Sequence, residues 1–172
     1  MNHELAIDTF LDAPVAAVWR AWTEHLEQWW CPPPWRAELQ ALELRPGGRF
    51  AATMTGPDGA RCGGESVILE VVAERRVVFT NALLPGWQPQ TGDPFAFVGR
   101  FEFAPERSGT RYRASASHWS AEACEQHRAT VGFEEGWLVI AKQLEEVARG
   151  LAGLPAKDDA LDQAKARDPL SC

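Results

Sequence analysis

Two hydrophobic periods divide the chain. Leu5, Ile7 and Thr9 alternate with charged or small neighbours, which predicts a half-buried strand over His3–Phe10. Asp12-Ala13-Pro14 then opens a helix, with Pro14 in the first turn, where its missing N–H breaks no bond. Val15, Val18, Trp19 and Trp22 fall at i, i+3, i+4 and i+7, a single apolar stripe. Leu26, Trp29 and Trp30 extend the pattern until Pro32-Pro33-Pro34 stops it. From Arg36 to Trp119 the period drops to two. It predicts strands at Arg36–Leu44, Arg49–Met54, Gly64–Val72, Arg75–Thr80, Phe95–Phe103 and Thr110–His118. Turn sequences separate them: Pro46-Gly47-Gly48, Gly56-Pro57-Asp58-Gly59 and Glu106-Arg107-Ser108-Gly109. Leu83–Pro94 is a longer loop carrying Trp87, of the kind often used for function. Ser120 is placed to cap a last helix, whose stripe Phe133, Trp137, Ile140, Ala141, Leu144 and Ala148 carries it to Gly150.

Connections this short join antiparallel neighbours, because parallel strands need crossovers of about a dozen residues or more. The predicted fold is therefore α+β. A curved antiparallel sheet of about seven strands, with two short helices after the first strand, covers its apolar face with one long C-terminal helix. A strongly curved sheet gripping one helix leaves space between them, so a cavity is expected there. The domain is predicted to span residues 1–151. Residues 152–172, where Ala alternates with Asp, Lys and Arg, read as a flexible or weakly helical tail.

Composition narrows the function. A chain of 172 residues suits one domain, and 45% hydrophobic with 24% charged residues is ordinary globular usage. The formal net charge of −7 repels phosphate backbones, so nucleic acid is not an expected partner. Arg75-Arg76 and Arg111/Arg113 are too small to count as a basic patch. There is neither an apolar run of roughly 20 residues nor a basic start followed by an apolar stretch, so neither membrane insertion nor secretion is expected. Cys31, Cys62, Cys124 and Cys172 lie far apart with no C-x-x-C pair, which argues for reduced thiols and a cytoplasmic location. The excess of Arg over Lys, with abundant Ala, fits a GC-rich bacterial genome. Eight tryptophans against one tyrosine call for either a large core or an apolar pocket wall.

Alternation assigns the candidate site. Phe95, Phe97, Gly99, Phe101 and Phe103 share one strand face, which should look inward toward Trp137. Tyr112, Ala114, Ala116 and His118 share another, with His118 near its mouth. A lone histidine on an apolar face is most often a core residue. Here it could also orient a ligand carbonyl or hydroxyl, or exchange a proton near its ordinary pKa of about 6.5. Gly99, Ala114, Ala116, Gly132 and Gly136 withhold the side chains that would otherwise fill the space. The expected lining is Trp30, Met54, Phe97, Phe101, His118, Phe133 and Trp137, a wall suited to a flat hydrophobic molecule.

Other chemistries find less support. Cys124 and His127 stand three apart on a helix, but two ligands do not make a zinc site. Cys31 has no base assigned to it, so nucleophilic catalysis is not expected. Glu65 and Glu70 have odd spacing on one strand, which puts them on opposite faces and removes the simplest carboxylate pair. No P-loop or dinucleotide fingerprint is present, and no cofactor, metal or catalytic residue is assigned.

The run Asp12-Ala13-Pro14 … Val18-Trp19-Arg20-Ala21-Trp22-Thr23, then Trp29-Trp30, then Leu44-Arg45-Pro46-Gly47-Gly48-Arg49-Phe50, resembles the START/Bet v 1-like (SRPBCC) superfamily. His118-Trp119-Ser120 and Gly132-Phe133-Glu134-Glu135-Gly136-Trp137 are similar to its stand-alone bacterial branch, related to the C-terminal domain of heat-shock-protein ATPase activators. The likeness covers residues 3–150. It implies the helix-grip fold and a cavity that in relatives binds lipids, sterols, polyketides or hormones. Many relatives carry His where this chain has Glu134, so a ligand defined by that position would differ here.

Three functions stay open. One is a small-molecule binding protein with an apolar cavity. A second is a cyclase, aromatase or hydrolase-like enzyme using the same cavity, of the polyketide cyclase-like kind. The third is a protein-interaction module like the chaperone activators, for which the tandem domain is lacking in this sequence. A homodimer is compatible with each. Enzyme and binder differ in whether a second titratable group meets His118 inside the cavity.

Overall fold

The structure, a computed structural model, describes residues 3–91, 96–131 and 133–155, the side chains of 130 and 131 excepted. In chain order it runs β1 (Glu4–Leu11), α1 (Val15–Glu24), a 3-10 turn (Leu26–Gln28), β2 (Arg36–Leu42), β3 (Arg49–Thr55), β4 (Arg61–Val72) and β5 (Arg76–Thr80). There follow β6 (Leu83–Leu84), β7 (Gln88–Pro89), β8 (Phe97–Glu106), β9 (Gly109–His118), α2 (Ala121–Val131) and α3 (Phe133–Leu151). Seven strands form one antiparallel sheet in the order β1-β9-β8-β5-β4-β3-β2, so the fold is α+β as expected. Phe95, Gly132 and residues 156–172 lie outside the described residues.

Two details depart from the sequence reading. The Leu83–Pro94 loop contains a small hairpin, because Gly86 and Trp87 take left-handed backbone and allow a tight reversal between β6 and β7. Glu65 and Glu70 do not fall on opposite faces. A bulge between Ile68 and Glu70 adds a residue to β4 and resets its alternation. Both carboxylates consequently sit on the outer face, Glu65 held by Arg49 and Glu70 by the Arg76 guanidinium at 2.7 and 3.0 Å.

The inner face carries the core. Trp22, Trp29, Leu26, Val18 and Leu144 are fully buried between the sheet, α1 and α3. Trp22 meets Trp29, Trp30, Phe50 and Phe101 at ring-centroid distances of 5.4 to 6.3 Å. Rings spaced and tilted in this way gain about 0.5–1.5 kcal/mol per pair beyond their burial. The C-terminal end of α3 is tied down separately: Arg149 donates to the Asp12 carbonyl at 2.8 Å and to the Pro155 carbonyl at 2.9 Å. Ser120 caps α2 as predicted, its Oγ accepting the Ala123 N–H at 3.1 Å.

Gly99 is explained by packing rather than by a void. A Cβ there would lie 2.8 Å from the Phe79 ring, so the glycine lets that ring cross β8. The space expected of Gly99 is filled by Phe79. Gly99→Ala should therefore cost about 1–3 kcal/mol by overpacking. Gly150→Ala, whose Cβ would meet nothing within 4 Å, should stabilise the helix by up to about 1 kcal/mol. Urea unfolding of both variants measures the contrast.

Candidate functional site

Trp30 is set by what flanks it. Trp29 Nε1 donates to the Ala21 carbonyl at 3.0 Å, and Gln143 of α3 donates to the Trp29 and Cys31 carbonyls at 3.1 and 3.0 Å. The Trp30 ring then stands 5.3 Å from Phe50, 5.7 Å from Phe101 and 6.4 Å from Phe79, and remains partly exposed. Phe101 lies nearly parallel to Trp137 of α3 at 6.4 Å, and Trp137 packs on Phe133 at 4.2 Å. Phe97 opens β8, held by its N–H on Asn81 Oδ1 (2.8 Å) and by its carbonyl accepting Thr80 Oγ1 (2.7 Å). Its ring is partly exposed and sits 5.9 Å from His118.

Six of the seven predicted lining residues thus meet in one chain of rings. Met54 is set apart. Its register opposite Cys62 places it on the face of Phe50, near the far end of β3, half-buried.

A residue that sequence reasoning missed completes the site. His127 of α2 brings Nδ1 to 2.9 Å from His118 Nε2, and both imidazoles are buried, at 5% and 8% exposure. His127 packs on Phe97 at 5.1 Å, Phe133 at 5.8 Å and Trp137 at 6.5 Å. The signal was its position three residues after buried Cys124, which marks the inner side of α2. The sequence does not say that α2 folds back over the end of β9.

Burial pushes the His118 pKa below the ordinary histidine value, since leaving water penalises the charged form; the His3 and Ala116 carbonyls oppose this in part. The shift favours the uncharged ring. His118 Nε2 and His127 Nδ1 are close enough to share one hydrogen bond, one nitrogen donating and the other accepting. Such a pair can accept or donate a hydrogen bond, or pass a proton.

Cys31 is buried and its thiol pKa is raised by that burial, the reverse of what a nucleophile needs. Glu134 points to solvent with its carboxylate 3.6 Å from Arg128, so it does not define the site. Among the described residues no group of three or more His, Cys, Asp or Glu is arranged to hold a metal. No described helix is long and apolar enough to cross a membrane.

A curved antiparallel sheet closed over a C-terminal helix, with rings and an imidazole pair between them, defines a helix-grip protein of the SRPBCC superfamily. The family model described as Activator of Hsp90 ATPase homolog 1-like protein matches residues 12–149, and the chain belongs to that family. Among solved structures it is similar to a Nitrosomonas europaea protein at 34% identity and TM-score 0.81, over 87% of this chain and 96% of that one. A Mycobacterium smegmatis protein matches at 28% identity and TM-score 0.68, over 90% and 92%. An Arthrobacter aurescens protein matches at 28% and 0.71, over 86% of each. No curated protein matches the chain.

Folding stability should fall as pH drops through about 6.5, because the unfolded chain takes up a proton that buried His118 resists. Above that pH the contribution of the neutral ring is fully present. One histidine gives a slope of at most about 1.4 kcal/mol per pH unit. Urea midpoints between pH 5 and 8 should show this slope, reduced in His118→Gln.

Proposed function

We propose that this protein binds a flat hydrophobic small molecule between the inner face of the sheet and α3. The ligand's apolar body lies against Trp30, Phe97, Phe101, Phe133 and Trp137, and its polar group meets the His118–His127 pair. The observation that carries this reading is the placing of that pair at 2.9 Å inside a ring cluster whose Trp30, Phe97 and Trp137 still reach the surface. Buried polar groups amid apolar rings cost stability unless they are satisfied, and a site built to be filled tolerates that cost. The fold family adds weight, since helix-grip proteins are known for ligand cavities, although fold alone does not fix a function.

A second reading uses the same site for catalysis. It is favoured by one observation: two titratable groups meet there, and a pair of imidazoles can act as general base and then as general acid. Polyketide cyclase-like chemistry is the form of it that suits an apolar aromatic substrate.

The test is titration of the purified protein with aromatic polyketides, flavonoids and fatty acids while following tryptophan fluorescence. Saturable quenching is expected from a flat aromatic member of the panel. His118→Ala should weaken that binding about two- to tenfold, the worth of one hydrogen bond, with the fold intact by circular dichroism. Turnover of a bound ligand, abolished in His118→Ala, would select the catalytic reading. An absence of binding across the panel would reject both and leave the chaperone-type interaction module.

A further inference from the structure

Two buried side-chain atoms lack a hydrogen-bond partner among the described residues: Trp22 Nε1 and His118 Nδ1. Both belong to the ring cluster described above, and they differ in kind. Backbone acceptors of His3 and Ala116 lie beside the His118 ring and favour a proton on it. Trp22 Nε1–H has no such account. Trp22 is fully buried, and its ring neighbours are Trp29, Trp30, Phe50 and Phe101, whose side chains offer no oxygen acceptor.

The contrast with Trp29 sharpens the point. That side chain is equally buried, and its Nε1 donates to the Ala21 carbonyl at 3.0 Å. A phenylalanine or leucine at position 22 would supply apolar bulk without stranding a donor, so packing alone does not account for an indole there. The Trp22 ring also adjoins the proposed wall. It is 6.2 Å from Trp30 and 5.4 Å from Phe101, which stacks at 6.4 Å on Trp137. Trp22 is thus one ring removed from Trp137 and in direct contact with Trp30.

We propose that Trp22 Nε1–H is a hydrogen-bond donor kept for the ligand, so that the site selects flat apolar molecules bearing a neutral oxygen acceptor such as a ketone or ester carbonyl. This rests on the reading of the ring cluster as a ligand site and adds the chemistry of the ligand's second end. An N–H donor with no charge beside it favours a carbonyl over a hydrocarbon of the same shape. It gives no advantage to a cation, whose own N–H groups have no lone pair to offer.

The probes are 2-acetylnaphthalene and 2-isopropylnaphthalene, nearly equal in shape and differing in the carbonyl. Isothermal titration should give the ketone about two- to tenfold tighter binding, and Trp22→Phe should abolish the difference. Should that variant not fold, the native protein suffices. In its ¹⁵N-labelled form the Trp22 indole proton should move downfield with the ketone and stay in place with the hydrocarbon. Equal affinities with an unmoved indole proton would overturn the proposal while leaving the apolar site standing. An indole proton that keeps a cross-peak to a bound water, or a ring-current position on Trp30, with both probes would overturn it too. Binding of neither probe would remove the apolar-site reading and this proposal together.

Discussion

Trp22 has to be kept dry, and much of the molecule is arranged to do it. Its ring is covered from α1 by its own helix, from the 3-10 turn by Trp29 and Trp30, and from the sheet by Phe50 and Phe101. Burial of a ring that size is worth about as much as any single side chain gives, and its loss costs roughly 3–5 kcal/mol in comparable cores. Each covering ring needs its own support. Phe79 reaches Phe50 and Phe101 because Gly99 lets it pass over β8, and Trp30 is fixed through the carbonyls on either side of it by Gln143. The site shares these supports, so the walls of the candidate pocket and the heart of the core are the same rings.

The architecture was legible because its two periods are physically distinct. Trp19 and Trp22 repeat at helical spacing, while Phe97, Phe101 and Phe103 repeat at two, and the turns between strands are spelled in Gly, Pro and Asp. Phe97, Phe101 and His118 came together because alternation names a face, and Trp30, Phe133 and Trp137 because helical spacing names a stripe. Three things were not legible. The bulge after Ile68 leaves no mark in composition, yet it reverses the face of Glu70. Phe79 and Gly99 are neighbours only through the β5–β8 register, so a glycine that makes room for a ring looked like one that leaves a hole. His127 and His118 lie in different elements, and their meeting depends on how α2 turns over β9.

Polar chemistry inside this core is sparse and therefore informative. The outer face is a lattice of exposed ion pairs, Arg111 with Asp8 and Arg76 with Glu70 among them, each worth little because water screens it. Inside, where screening is weak, the imidazole pair and the Trp22 N–H join the Trp29 N–H and the Tyr112 hydroxyl among the rings.

The pairing of β1 with β9 has a consequence in time. Strand β1 hydrogen-bonds to β9 alone within the sheet, so residues 4–11 wait for residues 110–118. At about 5–20 residues per second of synthesis, the first strand precedes its partner by roughly 5–20 s. Throughout that interval Leu5, Ile7 and Leu11 have no neighbouring strand, and closing so long a loop is the slow, entropically unfavourable event in forming a sheet of this kind. The strand made first is the one locked last, and the nascent chain carries its apolar side unshielded until the hairpin of β8 and β9 arrives.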